Sequence, residues 1–227
     1  NWVNQFLPTA CIPYARLARL DRPIGSWLLF WPCLWGVWLA QLENGLIPLS
    51  QTIYISALFA LGAIVMRGAG CTYNDIVDRD YDGKVERSRN RPLPAGQISV
   101  KQAWVFLIVQ CLIGLSVLLQ FNLETIALGV LSLFPIAIYP FMKRFTWWPQ
   151  LFLGIAFNWG ALMGYAALTG NISSSAGMVY VAAIFWTVGY DTIYAHQDRE
   201  DDALIGLKSS AIRLGDKTHT ALWIIYS

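Results

Sequence analysis

Apolar residues run along this chain in long stretches, and the polar residues gather between them. A helix rising about 1.5 Å per residue needs about 20 mainly apolar residues to cross about 30 Å of hydrocarbon. Six stretches reach that length, at residues 24–42, 53–73, 100–121, 123–142, 151–168 and 178–194, and a seventh opens near Thr220. The pattern predicts an all-α, polytopic transmembrane helix bundle. Pro32, Gly62, Pro135 and Pro140 lie inside these stretches, where neighbouring helices and side chains satisfy the backbone groups they free. Gly160 and Gly164 form a small-xxx-small pair that permits close helix contact. Residues 1–20 read as a mildly amphipathic lead-in, without the pattern of a signal peptide. The chain opens at Asn1 rather than Met and its seventh apolar run stops at Ser227, so a longer parent bundle is expected.

Composition agrees with the spans. The chain is 56% apolar and 13% charged, against about 45–50% and about 25% for a soluble domain. Its eleven Trp, ten Tyr and eleven Phe fit as well, because amphipathic rings collect at the headgroup level of a bilayer. A net charge of +2 gives no footprint for nucleic acid. Cys11, Cys33, Cys71 and Cys111 are scattered singly, and with only two His they suggest neither a zinc site nor a disulfide framework. They read as small apolar packing residues.

If the stretches alternate across the bilayer, all sixteen Lys and Arg fall on one side, with Arg67 and Lys101 as helix-end residues facing it. The positive-inside rule makes that side cytoplasmic in a bacterium, or matrix-facing in a mitochondrial inner membrane. Every acidic residue except Glu43 and Glu124 lies there too, although no topogenic rule asks for it. Most of these acids cluster after the second and the sixth stretch, on one side of the membrane.

The first cluster is Asn74-Asp75-Ile76-Val77-Asp78-Arg79-Asp80-Tyr81-Asp82. A helix continuing out of the membrane would stack Asn74, Asp78 and Asp82 on one face. In the second, Asp198-Arg199-Glu200-Asp201-Asp202, Asp198 and Asp202 are again four apart, with Asp191 two turns earlier on about the same face. Like charges stacked this way destabilise a helix unless something positive bridges them. Carboxylate and amide oxygens without His or Cys suit Mg²⁺, which is held by one or two carboxylates plus substrate phosphates. Lys84, Arg87, Arg89 and Arg91 follow the first cluster, and Arg199, Lys208 and Arg213 follow or interleave the second. Such cations answer the diphosphate oxygens not already on metal. A diphosphate head at the loops with its tail among the helices would ionise at an allylic carbon, and aromatic faces would stabilise that cation and exclude water.

The two clusters match the NDxxDxxxD and DxxxD motifs of the UbiA-type intramembrane prenyltransferase superfamily. Further stretches resemble its 4-hydroxybenzoate polyprenyltransferase branch: Leu20-Asp21-Arg22-Pro23-Ile24-Gly25, Asn90-Arg91-Pro92-Leu93-Pro94, Tyr139-Pro140-Phe141-Met142-Lys143-Arg144 and Tyr190-Asp191-Thr192-Ile193-Tyr194-Ala195. The resemblance covers nearly the whole chain, as one domain over residues 1–227 truncated at its C-terminus. It implies nine helices around a central cavity, about six complete here plus part of a seventh. It also implies Mg²⁺-dependent transfer of a polyprenyl group from its diphosphate to the ring carbon of 4-hydroxybenzoate beside the hydroxyl, a step of ubiquinone biosynthesis.

Carried over by motif position, Asn74, Asp78, Asp82, Asp198 and Asp202 would hold Mg²⁺ and the diphosphate. Asp191 would orient the acceptor phenol or help deprotonate it. Arg144, with Lys143 beside it, is a candidate catalytic and diphosphate-binding residue, or else a snorkelling topogenic charge. Arg22 or Arg67 would receive the acceptor carboxylate, unless both are simply membrane anchors. Tyr194 and Arg199, beside the second motif, complete the substrate-binding candidates. Within the same superfamily, homogentisate, a naphthoate, a haem or a glyceryl phosphate is an alternative acceptor. A transporter would place its acids at mid-depth, whereas these stand at one face.

Overall fold

The computed structural model describes the chain except Asn1, Leu46, residues 83–87, Arg89, Ile205 and Ser227; the side chains of residues 80–82, Asp198 and residues 201–203 also lie outside the description. Among the described residues the regular structure is helical. In chain order it comprises α1 (Trp2–Phe6), α2 (Ile12–Leu17), α3 (Ile24–Asn44), α4 (Leu49–Asp82), α5 (Val100–Leu118), α6 (Leu123–Phe145), α7 (Pro149–Asn158), α8 (Gly160–Thr169), α9 (Ser174–Ala195), α10 (Arg199–Leu204), α11 (Ser210–Leu214) and α12 (Thr218–Tyr226), with 3-10 turns at His196–Asp198 and Gly215–Lys217.

Among the described residues five stretches are long and apolar enough to cross a membrane: Leu49–Arg79 of α4, then α5, α6, the joined α7 and α8 over Pro149–Thr169, and α9. The chain is a multi-pass membrane protein. The first expected span, α3, has the length at 21 residues, but it is not among the five. Trp27, Trp31, Trp35 and Trp38 explain this, because a hydropathy index scores the indole as polar although it is at home in the bilayer interface. α4 runs the other way: at 34 residues it is roughly 50 Å long, about 20 Å more than the hydrocarbon needs. The surplus carries residues 74–82 out on the helix, as the spacing of their polar side chains predicts.

The chain forms two compact units, one of Asn1–Phe30 with Ala57–Phe121, the other of Trp31–Ser56 with Asn122–Ser227. The first is built on the C-terminal part of α4 against α5 and the N-terminal arm. Leu17, Ala69, Ile76, Leu93, Ile98, Ala103 and Leu107 form its buried cluster, with Tyr14, Met66, Tyr73 and Phe106 packed around it. Polar groups in this core are paired: Thr72 Oγ1 donates to Gln110 Oε1 at 3.0 Å, joining α4 to α5. Ser99 opens α5 with a capping box that Gln102 completes.

The second unit holds α6 to α12 and the later part of α3. A Cβ on Gly36 would fall 2.1 Å from the Ala161 carbonyl oxygen, and one on Gly164 would fall 2.1 Å from that of Cys33. The small residues therefore let α3 and α8 touch backbone to backbone, as the Gly160/Gly164 spacing foretold. Asn158 is 1% exposed and donates to the Gly154 and Ala183 carbonyls and to Thr187 Oγ1, tying α7 to α9. The Asn122 side chain caps α6 by accepting from Thr125 N–H and donates to the Ala166 carbonyl near the end of α8. At the last turn of α3, Glu43 accepts from Tyr165 Oη at 2.7 Å and from Ser175 Oγ at 2.5 Å. These two donors hold its carboxyl below its ordinary value of 4.5, the serine contributing most.

Candidate functional site

The first acidic segment ends α4. Asp75, Asp78, Asp80 and Asp82 fall within its last two turns, where Arg79 is the basic residue. A helix C-terminus carries partial negative charge, so acids gathered there oppose the helix dipole. Asp75 and Asp78 are each 1% exposed, and a carboxylate that deep demands positive charge beside it.

For Asp75 that charge comes from two arginines of the same unit. Arg19 Nη2 donates to Oδ1 at 2.9 Å and to Oδ2 at 3.0 Å, and Arg91 Nη1 donates to Oδ1 at 3.2 Å. Arg91 was expected to face the diphosphate; here its guanidinium engages Asp75. Arg19 carries no signal in the sequence at all, since its partner lies 56 positions away and long-range pairing leaves no local pattern.

Two arginines were expected to compete for an acceptor carboxylate, and their surroundings differ. Arg67 sits on α4 two turns before Asn74, and its guanidinium lies across the first turn of α3, where a Cβ on Gly25 would fall 2.2 Å from Nε. Arg22 is 80% exposed, its Nε 3.8 Å from Asp21 Oδ2. Arg67 thus lies in the space that Gly25 leaves open, while Arg22 reaches into the surroundings.

The second acidic segment does not continue α9 as expected. The helix stops at Ala195, tightens into the 3-10 turn His196–Asp198 and restarts as α10. The cause is local: the His196 N–H returns to the Ile193 carbonyl, a three-residue return that winds the chain more tightly than an α-turn. His196 Nε2 also meets Thr218 Oγ1 at 3.0 Å. Because Thr218 Oγ1 donates its proton to the Gly215 carbonyl, the imidazole is the donor of that pair.

Asp191 is half-buried on α9, next to Thr192, which is fully buried and shares a 2.7 Å hydrogen bond with Ser210 Oγ at the start of α11. The Ser210 N–H donates to Gln150 Oε1 of α7. Lys208 N–H donates to the Lys143 carbonyl at 2.8 Å, and its Nζ donates to the Phe145 carbonyl at 3.2 Å while lying 5.7 Å over the Trp147 ring. Lys208, grouped by sequence with the diphosphate-facing cations, instead caps the end of α6. The second acidic segment is therefore pinned at both ends, by Asp191–Thr192 before it and Lys208–Ser210 after it. Lys143 and Arg144 occupy the last turn of α6, with the Arg144 guanidinium 5.4 Å from the Phe141 ring centroid. Tyr194 is 65% exposed, and Arg199 is exposed at the start of α10. Toward Asp191 runs an aromatic series missed in the sequence: Trp35 edges onto Trp186 at 5.8 Å and Trp186 onto Tyr190 at 4.9 Å.

As a donor set, Asn74 and Asp78 offer amide and carboxylate oxygens one helical turn apart, which suits Mg²⁺. The side chains of Asp82, Asp198 and Asp202, the other expected ligands, lie outside the described residues. Among the described residues no group of three or more His, Cys, Asp or Glu gathers as a metal site.

Residues 29–227 match the UbiA prenyltransferase family. The chain is 56% identical over 213 residues to "4-hydroxybenzoate polyprenyltransferase, mitochondrial" of Aedes aegypti, covering 93% of this chain and 47% of that protein. It thus spans about half the length of that relative. Among solved structures, a UbiA homolog from Aeropyrum pernix K1 in its apo form is 30% identical with a TM-score of 0.70, over 88% of this chain and 74% of its own. A UbiA homolog from Archaeoglobus fulgidus bound to GPP and Mg²⁺ shares the fold at a TM-score of 0.67 and 18% identity, over 94% of this chain and 73% of its own. The match over residues 29–227 accounts for an acid-bearing helix end that neither packing nor topology would ask for: the chain belongs to the UbiA prenyltransferase family.

Proposed function

We propose that this chain, as a single domain, carries the 4-hydroxybenzoate polyprenyltransferase chemistry of its family: Mg²⁺-dependent transfer of a polyprenyl group from its diphosphate to the ring carbon of 4-hydroxybenzoate ortho to the hydroxyl, in ubiquinone biosynthesis. The observation that carries the reaction class is the buried Asp78 at the negative end of α4. The acceptor is supported by the name of the 56% identical relative, and the metal by the Mg²⁺ and GPP in the solved relative of the same fold.

The reaction breaks the allylic C–O bond, releases diphosphate, forms a C–C bond at the ring and loses the ring proton from that carbon. By motif position, Asn74, Asp78 and Asp82, and Asp198 and Asp202, would supply hard oxygens for Mg²⁺ and diphosphate. Mg²⁺ when bound would neutralise charge gathering on the departing diphosphate. Arg144, Lys143 and Arg199 bind diphosphate oxygens, which a guanidinium fork meets two at a time. The Trp186 and Tyr190 rings offer their faces to the positive charge left on the allylic carbon and help keep water from it. Asp191 accepts the hydrogen bond of the phenol O–H, draws off its proton as the ring carbon attacks, and returns it to the oxygen when the ring proton passes to the released diphosphate and aromaticity is restored.

Arg67 takes the acceptor carboxylate. Its path over Gly25 preorganises the guanidinium, whereas Arg22 would have to be immobilised on binding. Tyr194 is the remaining substrate contact, at the rim of the second motif. The relative's name points to a mitochondrial membrane, and the one-sided Lys and Arg distribution would then turn both motifs to the matrix.

The test is an incubation of membranes carrying the protein with polyprenyl diphosphate, 4-hydroxybenzoate and Mg²⁺, followed by mass analysis. Prenylated 4-hydroxybenzoate that disappears with EDTA is the expected result. Diphosphate release with the prenyl group on another acceptor would keep the site and replace the acceptor.

A further inference from the structure

Arg19 stands where a helix would ordinarily place glycine. α2 ends in a full Schellman closure: Leu20 N–H returns to the Ala15 carbonyl and Arg19 N–H to that of Arg16. The residue between, Arg19, takes φ +56°, and it is the non-glycine residue with positive φ among those described. A side chain in that region is disfavoured, and glycine avoids the penalty. Such a departure from local preference persists when the surrounding structure needs the side chain.

What needs it is Asp75. The Arg19 guanidinium spans both carboxylate oxygens and adds a bond from Nη1 to the Arg16 carbonyl at 3.1 Å. Arg91, at the head of the 91–98 turn, approaches the same carboxylate, and that turn buries Leu93 and Ile98 in the core of the unit. One buried acid therefore joins the end of α2, the end of α4 and the turn before α5. Asp75 is the immediate neighbour of Asn74 and one turn from Asp78, the two described ligand candidates.

We infer that Arg19 is a positioning residue for the first acidic motif, acting through Asp75. By holding both oxygens of this carboxylate from Nη2 it makes Asp75 a counter-ion rather than a metal ligand. It thereby leaves Asn74 and Asp78 to define where Mg²⁺ and diphosphate sit. The inference rests on the Mg²⁺-diphosphate reading above.

Three variants separate positioning from plain folding: Arg19→Gly, Asp75→Asn and the double variant. Each is purified in detergent and titrated with Mg²⁺ in the presence of inorganic diphosphate, with the thermal unfolding midpoint as readout and helix content by circular dichroism as the control. Arg19→Gly suits the left-handed cap better than the native residue, so α2 keeps its closure while Asp75 loses its principal partner. The expected result is native helix content with about a tenfold rise in the Mg²⁺ concentration giving half the shift, the loss of one charge-assisted contact. Adding Asp75→Asn removes the released carboxylate, and the double variant returns toward the wild-type Mg²⁺ requirement. In turnover, Arg19→Gly raises the Mg²⁺ requirement more than it lowers kcat at saturating metal.

An unchanged Mg²⁺ half-point in Arg19→Gly overturns the inference and leaves the function standing. A double variant as impaired as Arg19→Gly also overturns it, because the arginine would then serve packing alone. A wild-type protein whose unfolding does not respond to Mg²⁺ and diphosphate overturns the Mg²⁺-diphosphate reading and the inference with it.

Discussion

Asp75 and Asp78 stand three residues apart on one helix, equally buried, and chemistry divides them. Asp75 is locked to Arg19 and Arg91, so its loss should appear first in stability. Asp78 is assigned to the metal, so Asp78→Asn, which keeps shape and burial, should lower kcat about 100-fold or more at an unchanged unfolding midpoint. Steady-state kinetics beside a thermal melt would show it; parallel losses in both would move Asp78 into the structural class.

Gly25 offers a second prediction at this scale. Gly25→Ala puts a methyl group where the Arg67 guanidinium now lies, and the far end of that side chain can move without breaking the helix. The expected effect is about a tenfold rise in KM for 4-hydroxybenzoate, as for a lost hydrogen bond to a charged group, with KM for the prenyl diphosphate unchanged. A rise in both KM values would detach Arg67 from the acceptor. Of these residues, the acids were legible in the sequence because their four-residue spacing is local. Arg19 was not, because it matters through a residue on another helix.

Among the elements, the close crossing of α3 and α8 should be the most sensitive to volume. Gly164→Ala places a Cβ against the Cys33 carbonyl, where backbone must shift; a loss of about 1–3 kcal/mol is expected, in the range for overpacked cores. It would be read as a lower denaturation midpoint in detergent, while an equal change at Gly177, where a Cβ meets nothing within 4 Å, should do far less. The Glu43 clasp adds a pH dependence. Its carboxyl is held below 4.5 in the folded chain, so the Tyr165 and Ser175 contacts add stability above that pH. They lose it as pH falls through the depressed value. Melting curves of Glu43→Gln against wild type should therefore converge below pH 4.5 and separate above it; curves that keep a constant gap would place the effect elsewhere.

The elements also show which sequence signals carry. Apolar length located five spans and the surplus length of α4. Hydropathy undervalued the Trp-rich α3, and residue spacing missed the 3-10 turn at His196–Asp198. That turn follows from i→i+3 bonding at the helix end, which no side-chain periodicity encodes.

For the molecule as a whole, composition and one-sided charge were enough to read a multi-pass membrane protein, and two acid motifs were enough to read its family. The cap strain at Arg19, the pinning of the second acidic segment by Lys208 and Ser210, and the Trp35–Trp186–Tyr190 series needed coordinates, because each joins distant parts of the chain. The proposed reaction is carbon prenylation ortho to a phenol, driven by loss of diphosphate. It is tested most directly with 4-hydroxybenzoate carrying deuterium at both carbons ortho to the hydroxyl, incubated with polyprenyl diphosphate, Mg²⁺ and membranes containing the protein. The expected result is a prenylated product that has lost one of the two deuterium atoms, absent with EDTA and with Asp78→Asn. A prenylated product that keeps both would place the new bond away from the ortho carbons and rule this reaction out.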